Sequence, residues 1–562
     1  MTRADNRRWW ALAALAVSVL VVGLDLFVLN LALPTISADL HASSSDLQWF
    51  VDAYSLAVAA ALLPAGLLGD RLGRKRLLTI ALAMFGLASL ACAYSTSSGE
   101  LISARVVLGL AAAVILPLSL AVIPVLFTAA ERPRAIATVG GATFLGYPLG
   151  PIVGGWLLDH YWWGSVFLIN VPVVVIAMIA VTTLMPESRS EQRASRIDLT
   201  GVLVSSAGLC ALTYGLIKAG GNGWSDPTAV ATMSAGVAAL AAFVAWERRV
   251  SQRQPLVDLA LFSSAGFTWG TVLSTLVSFA LFGLVFAAPQ YFLDVRGLNS
   301  LAAGLRLLPM IGGLAVGLAI GQRLLSPRAV TDGNGVRSKD GAPRVSAKIM
   351  ASGGFTIMAI ALAVGARTSI GSGTGFAAAW FSLTGLGLGF AMPTALNAAL
   401  GALSPERSGS GSALITAMRQ VGGTIGVAVL GTVLASVYRS HLQLTALSAT
   451  AAAAVRSSVA DGVAVARAAG SGPLLETVRT AYVHGMDVML WICAGIAVVS
   501  ALLGLAFLPS RAGGPGQADQ DGQPQPGAEA AGGKAAAADT AGAQTAAQPA
   551  AAGGQARGEL RA

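Results

Sequence analysis

The sequence predicts an all-α polytopic membrane protein with fourteen transmembrane helices. Three observations carry that prediction. About 55% of the 562 residues are apolar and only 11% are charged, against roughly 25% charged in soluble domains. The apolar residues collect into runs of about 20, the length a helix needs to cross the bilayer core. Lys and Arg gather in alternate loops between those runs, as they do in proteins threaded through a membrane.

The first run, 11–33, follows the basic start MTRADNRRWW. A signal peptide begins in a similar way. This run, however, carries Asp25 and Asn30, ends at Pro34 and has no small-x-small cleavage site, so it reads as a retained helix. Runs at 48–68, 77–95, 100–122, 136–158 and 165–185 complete a first set of six. Two Ala- and Gly-rich runs follow at 198–218 and 228–247. A second set of six occupies 266–288, 301–321, 346–366, 374–396, 411–435 and 486–508. The domains are thus a terminus 1–10, a bundle 11–185, an added pair 198–247 and a second bundle 266–508. Within the second bundle, 436–485 is Ala-rich with spaced Val, Leu and Arg, which predicts a short helical hairpin outside the membrane. Residues 511–562 are mostly Gly, Ala, Gln and Pro. Such a tail cannot bury a core and is predicted to be disordered.

The basic loops are RLGRKR (71–76), ERPR (131–134), ESRSEQRASR (187–196), WERRVSQR (246–253) and the insert 322–348. The intervening loops 35–47 and 159–164 contain neither Lys nor Arg. The positive-inside rule therefore puts both termini in the cytoplasm of a multi-pass cytoplasmic-membrane protein. These loops account for most of the net charge of +9, so a nucleic-acid partner is not required. The three cysteines, Cys92, Cys210 and Cys493, lie far apart inside apolar runs, which excludes a disulfide framework or zinc site. No H-E-x-x-H motif and no G-x-x-x-x-G-K-S/T loop is present. A membrane enzyme and an ATP-driven pump are disfavoured accordingly. No metal or cofactor is expected.

Several stretches carry more than composition. After the second run the chain reads GLLGDRLGRKR, with Gly66, Asp70, Arg71, Gly73, Arg74 and Lys75. Glycines permit a tight turn and close helix approach, and opposite charges meet at one helix end. The fifth run reads LGYPLGPIVGGWLLD. Its Gly146, Gly150 and Gly154 recur every four residues, which lets a neighbouring helix pack closely. Pro151 and the adjacent Gly154 and Gly155 favour a bend. Charged residues inside spans are costly, at ~2.5–3.5 kcal/mol on insertion scales, and mark candidate functional sites. Asp25, Asp52 and Arg105 are such residues in the first bundle. On a rise of ~1.5 Å per residue they lie about 12, 6 and 8 Å below the outer helix ends. Arg419 and Gln420 lie nearer the middle of the thirteenth run.

Taken together these stretches resemble the major facilitator superfamily, and within it the fourteen-span drug:proton antiporters. GLLGDRLGRKR is similar to the superfamily's signature loop, and GYPLGPIVGG to its antiporter motif. LISARVVLG resembles the fourth-helix motif, with Leu108 where glutamine is usual. LDLFVLNLALP, VDAYSL, GFAMPTALNAAL and SALITAMRQVGGTIGVAVLG extend the likeness over roughly residues 10–510. The equivalent second signature loop is degenerate. The resemblance implies two six-helix bundles around a central cavity, an added helix pair and alternating access. It implies a monomer that exports amphipathic, cationic or aromatic drugs in exchange for protons. A dedicated exporter of one endogenous metabolite or antibiotic is the alternative. Burial disfavours an ionised carboxylate, so Asp25 is the expected proton carrier, with Arg105 as its partner and a cationic drug as its competitor. Asp52 is a second candidate acid. Asp70 is expected to hold the cytoplasmic gate closed by pairing with an arginine or a helix N-terminus. Phe27, Tyr54, Phe144 and Tyr147 are candidate cavity aromatics.

Overall fold

The computed structural model describes residues 3–509 except 43, 129–130, 189–197, 251–258, 326–329, 332–336, 339–344, 404–407 and 445–446. The predicted disordered tail, 511–562, lies outside the described residues, as does most of the degenerate second signature loop.

Every predicted run has its helix. The first bundle holds α1 (Arg3–Leu40), α2 (Ser44–Leu72), α3 (Arg74–Ala93), α4 (Ser98–Ala121), the short α5 (Ile123–Leu126), α6 (Arg132–His160), the short α7 (Ser165–Leu168) and α8 (Asn170–Leu184). The added pair is α9 (Leu199–Asn222) and α10 (Pro227–Val250). The second bundle holds α11 (Ala265–Gln290), the short α12 (Ser300–Leu305), α13 (Leu308–Leu325), α14 (Ala347–Gly365), α15 (Thr374–Gly401) and α16 (Ser408–Ser440), then α17 (Ala449–Ser457), α18 (Val459–Ala468) and α19 (Gly472–Phe507). Among the described residues thirteen helices are long and apolar enough to cross a membrane. The fifth predicted span coincides with α6, a helix of 29 residues. A small antiparallel ribbon, β1 (Val330–Thr331) with β2 (Arg337–Ser338), sits in the basic insert.

Small residues bring the helices together, as expected where lipid supplies no hydrophobic drive for helix association. A Cβ on Gly109 of α4 would come within 2.5 Å of the Tyr54 carbonyl on α2. In the second bundle, Gly313 of α13 and Gly385 of α15 each face the other helix's backbone. Gly236 of α10 does the same against Leu212 of α9. The added pair is not detached. Ser206 of α9 donates to the Ala60 carbonyl of α2 at 2.6 Å, and Gly220 lies against Ala428 of α16. The pair therefore touches both bundles, while α10 leaves Val230, Val237 and Val244 exposed, as a lipid-facing helix does.

The last helix starts at Gly472, well before the predicted 486. Its first turns mix Leu474, Leu475 and Val478 with Glu476, Arg479 and Thr480. They are helical without forming an apolar run, so hydropathy alone starts this helix too late. The expected hairpin is present as α17 and α18. Ser448 and Ser458 cap their N-termini, and Tyr438 of α16 donates to the Val455 carbonyl at 2.8 Å. His484 and Asp487 consequently lie within α19 rather than at its start.

Candidate functional site

The first feature is a buried charge network inside the first bundle. The Asp25 carboxylate on α1 accepts from Arg105 Nη1 of α4 at 2.7 Å. The pair is sealed, with Asp25 at 0% and Arg105 at 1% exposure. The second carboxylate oxygen of Asp25 accepts from Asn170 Nδ2 at 3.1 Å. Asn170 opens α8 and also reaches Ser89 Oγ of α3 at 3.4 Å. Arg105 donates from Nε to the Phe50 carbonyl of α2 at 2.9 Å. Its guanidinium lies 4.5 Å from the Tyr54 ring centroid, within reach of a cation–π attraction. Five helices of the first bundle thus meet at one ion pair. Tyr54 belongs to this network. The side chains of Phe27, Phe144 and Tyr147 lie outside the described ones.

Sequence reasoning missed Asn170, Ser89 and the Phe50 carbonyl. Asn170 carries a usable signal, since it interrupts the apolar stretch VFLINVPVVV and a polar side chain inside a span seeks partners. Asp52 stands apart from this network. It is half-buried and acted on by Lys218 of α9. Lys218 Nζ lies 5.8 Å from the Tyr214 ring, and that ring stacks on Trp49. This group joins α2 to the added pair.

The second feature is a latch at the helix ends that carry the basic loops. Asp70 Oδ1, at the end of α2, accepts from Arg74 Nη2 at 2.6 Å and Nε at 3.1 Å. The same carboxylate accepts two backbone N–H groups from the other bundle, Gly409 at 3.1 Å and Ser410 at 2.9 Å. These are first-turn amides of α16, which have no partner within their own helix. A carboxylate there also meets the positive end of the helix dipole. Ser408 and Ser412 of α16 donate to the Ala121 and Pro117 carbonyls, each at 3.0 Å. Gly66 packs against Ala413 and the Gly409 carbonyl. A Cβ on Gly409 would collide with the Asp70 carboxylate itself. Gly73 turns the chain between α2 and α3 with φ +100°. Glu187 accepts from the Lys75 and Arg76 amides at 3.1 and 3.2 Å, capping α3. Arg71 remains half-buried beside the turn. Gly409, Ser410 and Glu187 are latch residues that sequence reasoning missed.

The third feature is the glycine stripe of α6. A Cβ on Gly146 would lie 2.6 Å from the Leu20 carbonyl oxygen and 2.7 Å from the Leu24 nitrogen. A Cβ on Gly154 would strike Val28. The stripe therefore presses α6 onto the part of α1 that carries Asp25. Gly150 and Gly155 are buried in the same helix, and the Pro151 side chain lies outside the described ones. On its far side α6 meets the second bundle, where Ile152 fills the space over Gly304 of α12.

The fourth feature is a small cavity of about 40 Å³ between the two bundles. Val19 of α1, Leu116 of α4 and Thr143 of α6 line it from the first bundle. Ser278 and Phe282 of α11, with Thr416, Arg419 and Gln420 of α16, line it from the second. Arg419 Nε donates to Ser278 Oγ at 3.4 Å. The Asp70 latch lies on one side of the cavity, and the Ile152–Gly304 contact joins the bundles on the other. Asp25 is not in its wall. It lies six residues beyond Val19, about 9 Å along the helix, behind Arg105 and Asn170. The Asp25 ion pair and this cavity are therefore separate places in the first bundle and between the bundles.

Two helical bundles with a cavity between them and an inter-bundle latch at one end define a secondary transporter of the alternating-access kind. The chain belongs to the Major Facilitator Superfamily, whose sequence model matches residues 15–427. It is 32% identical over 513 residues to the tetracenomycin C resistance and export protein of Streptomyces glaucescens, covering 89% of this chain and 91% of that one. It is 33% identical to the multidrug efflux pump LfrA of Mycolicibacterium smegmatis, covering 90% and 96%. It is 29% identical to the methyl viologen resistance protein SmvA of Salmonella typhimurium, covering 90% and 99%. Among solved structures it is similar to a bacterial homologue of the human lysosomal transporter Spinster, with 16% identity, 91% and 99% coverage and TM-score 0.55. It is similar also to the proton:xylose symporter XylE, with 13% identity, 90% and 96% coverage and TM-score 0.56. These last likenesses concern the fold alone.

Proposed function

We propose that this protein exports amphipathic drugs or antibiotics across the cytoplasmic membrane by alternating access, driven by inward proton flow. The observation that carries the reading is the cavity between the bundles, with the Asp70 latch on its basic-loop side. The positive-inside rule assigns that side, and both termini, to the cytoplasm. The latch then belongs to a state closed to the cytoplasm, and its release opens the cavity for loading. The relatives' names, which speak of multidrug efflux and antibiotic export, support the same reading. The protein works as a monomer, without a resident cofactor, and is not an enzyme.

Asp25 is the proton site in this scheme. While ionised it holds Arg105, and so ties α1 to α4, and it holds Asn170, which ties α1 to α8. Protonation removes the charge that keeps Arg105 in place. The glycine contacts then transmit a shift of α1 to α6, and α6 meets the second bundle at Gly304. Coupling is therefore mechanical, through helix packing, rather than direct displacement of a proton by a drug. Asp52 adjusts the contact with the added pair.

A dedicated exporter of one antibiotic is the second reading. It is favoured by relatives named for single compounds, tetracenomycin C and puromycin. A substrate panel in inverted vesicles, with and without an imposed pH gradient, separates the two. Uphill uptake that collapses with a protonophore and is absent in Asp25→Asn is the expected result. Normal gradient-driven uptake by Asp25→Asn sinks the proton-site assignment.

A further inference from the structure

Asp25, Asp52 and Asp70 all belong to the first bundle. The second bundle holds an acid that the export scheme leaves unused, Asp487 of α19. Its Oδ1 is shut away from solvent, and no donor among the described residues reaches it. Such an oxygen gives up its hydration without replacement, a cost that a bound proton removes. Tyr291, at the outer end of α11, feels the charges of both Asp487 and Arg296. Both of these neighbours spend their donors on backbone. The Tyr291 hydroxyl donates to the Ser369 carbonyl at 3.0 Å, and Arg296 donates to the Ile370 carbonyl.

A route to the outer solution lies beside this acid. His484 precedes Asp487 by three residues, on the same face of α19, and its charge acts on the carboxylate. The His484 ring stacks on that of His441, with centroids 4.8 Å apart and planes 14° from parallel. His441 follows the last residue of α16. Each Nδ1 faces a carbonyl one turn back, Val437 for His441 and Thr480 for His484, both at 2.9 Å. A carbonyl only accepts, so each Nδ1 keeps its hydrogen and each Nε2 is the basic nitrogen. Both residues are exposed. The positive-inside rule sets them in the outer solution, the acidic side of an inward proton gradient. Two imidazoles in contact do not charge independently, so the pair takes up protons one at a time.

One helix joins this place to the latch. α16 is continuous, with the Gly409 and Ser410 amides in its first turn and His441 just past its end. α19 packs against both α16 and α11. A change of charge between α16 and α19 at their outer ends therefore bears on the helix that closes the inner end.

We propose that Asp487 is a second proton-coupling acid, loaded from the outer solution through the His441–His484 pair. The proposal rests on the proton-driven export reading and adds a proton site in the second bundle to Asp25 in the first.

The test uses the full-length protein in inverted membrane vesicles, with ethidium as the probe. The membrane potential is clamped at zero and a difference of about two pH units is imposed. Each coupled proton multiplies the limiting accumulation by about tenfold per pH unit. Asp487→Asn therefore lowers the limit by about 100-fold, and Asp487→Glu, which keeps the acid, restores it. The double variant His441→Gln/His484→Gln keeps the limit and slows the initial rate, because it removes the route and not the site. A residue with a merely structural role changes the rate, through the amount of folded protein, and leaves the limit alone. A wild-type limit in Asp487→Asn, or a wild-type initial rate in the double histidine variant, overturns the proposal and leaves the export reading intact. If the wild type accumulates neither ethidium nor any compound of the wider panel, the export reading falls and the proposal falls with it.

Discussion

Asparagine at position 25 keeps the shape of the side chain and removes its charge. Arg105, at 1% exposure, is then a buried cation without its carboxylate. Removing one partner of a buried pair costs about 3–5 kcal/mol, because the remaining charge has lost its solvent and its counter-ion. The Phe50 carbonyl at 2.9 Å and the Tyr54 ring at 4.5 Å still hold the guanidinium. The amide oxygen of the introduced asparagine can also accept one hydrogen bond. The loss for Asp25→Asn is therefore expected near the lower end of that range, about 3 kcal/mol. Arg105→Met destabilises for the mirror reason. The double variant has no stranded charge and loses less than the two singles combined, by a coupling of roughly 2–3 kcal/mol. The assay is reversible unfolding of the purified protein in mixed micelles by titration with a denaturing detergent. Losses that simply add across the two substitutions would refute a pairwise origin for the stability of this network.

The latch yields two expectations from opposite sides. Asp70→Ala removes the acceptor of the Gly409 and Ser410 amides, and Gly409→Ala drives a Cβ into the same carboxylate. Both variants increase thiol labelling of a cysteine placed at the cytoplasmic mouth of the cavity; wild-type labelling in both refutes the gate role. At Gly146 a leucine side chain meets backbone of α1 rather than a movable side chain, which costs ~1–3 kcal/mol or more. Expression and thermal stability in detergent fall together, and an unperturbed Gly146→Leu protein refutes the close α1–α6 contact. Glu187→Gln leaves one acceptor oxygen for the two α3 amides and removes the charge at the helix N-terminus, a loss of about 1–2 kcal/mol. Detergent unfolding checks that value, and a loss of several kcal/mol contradicts a simple cap. Asp52→Asn leaves maximal export within about twofold of wild type if the residue only steadies the added pair, a substitution away from the transport machinery being nearly neutral; complete loss makes it a coupling acid instead.

Much of the molecule can be read from its sequence. Run length and the distribution of Lys and Arg place fourteen helices, because a bilayer forces backbone polar groups into helices and penalises charge within the core. The same logic marks Asp25 and Arg105 as residues that must have partners, and GLLGDRLGRKR as a loop with work at a helix end. Hydropathy places the start of the final helix too late, since residues 472–483 mix polar and apolar side chains and a helix outside the bilayer core need not be apolar. Partnership is the harder problem. Asn170 lies 145 residues from Asp25 in sequence, and Gly409 lies 339 from Asp70, and no local pattern links such pairs.

The sequence by itself determined where the helices run, the small-residue stripe on α6 that allows close packing, and the residues whose charge is costly in a membrane. Tertiary structure alone decided which costly charges meet one another and which face the cavity. Helix packing sealed Asp25 against Arg105 and Asn170, carried Asp70 to the first turn of α16, and left Arg419 in the wall of the cavity. The reason is that a charge's role depends on dielectric and distance, and both are set by the neighbours that packing supplies.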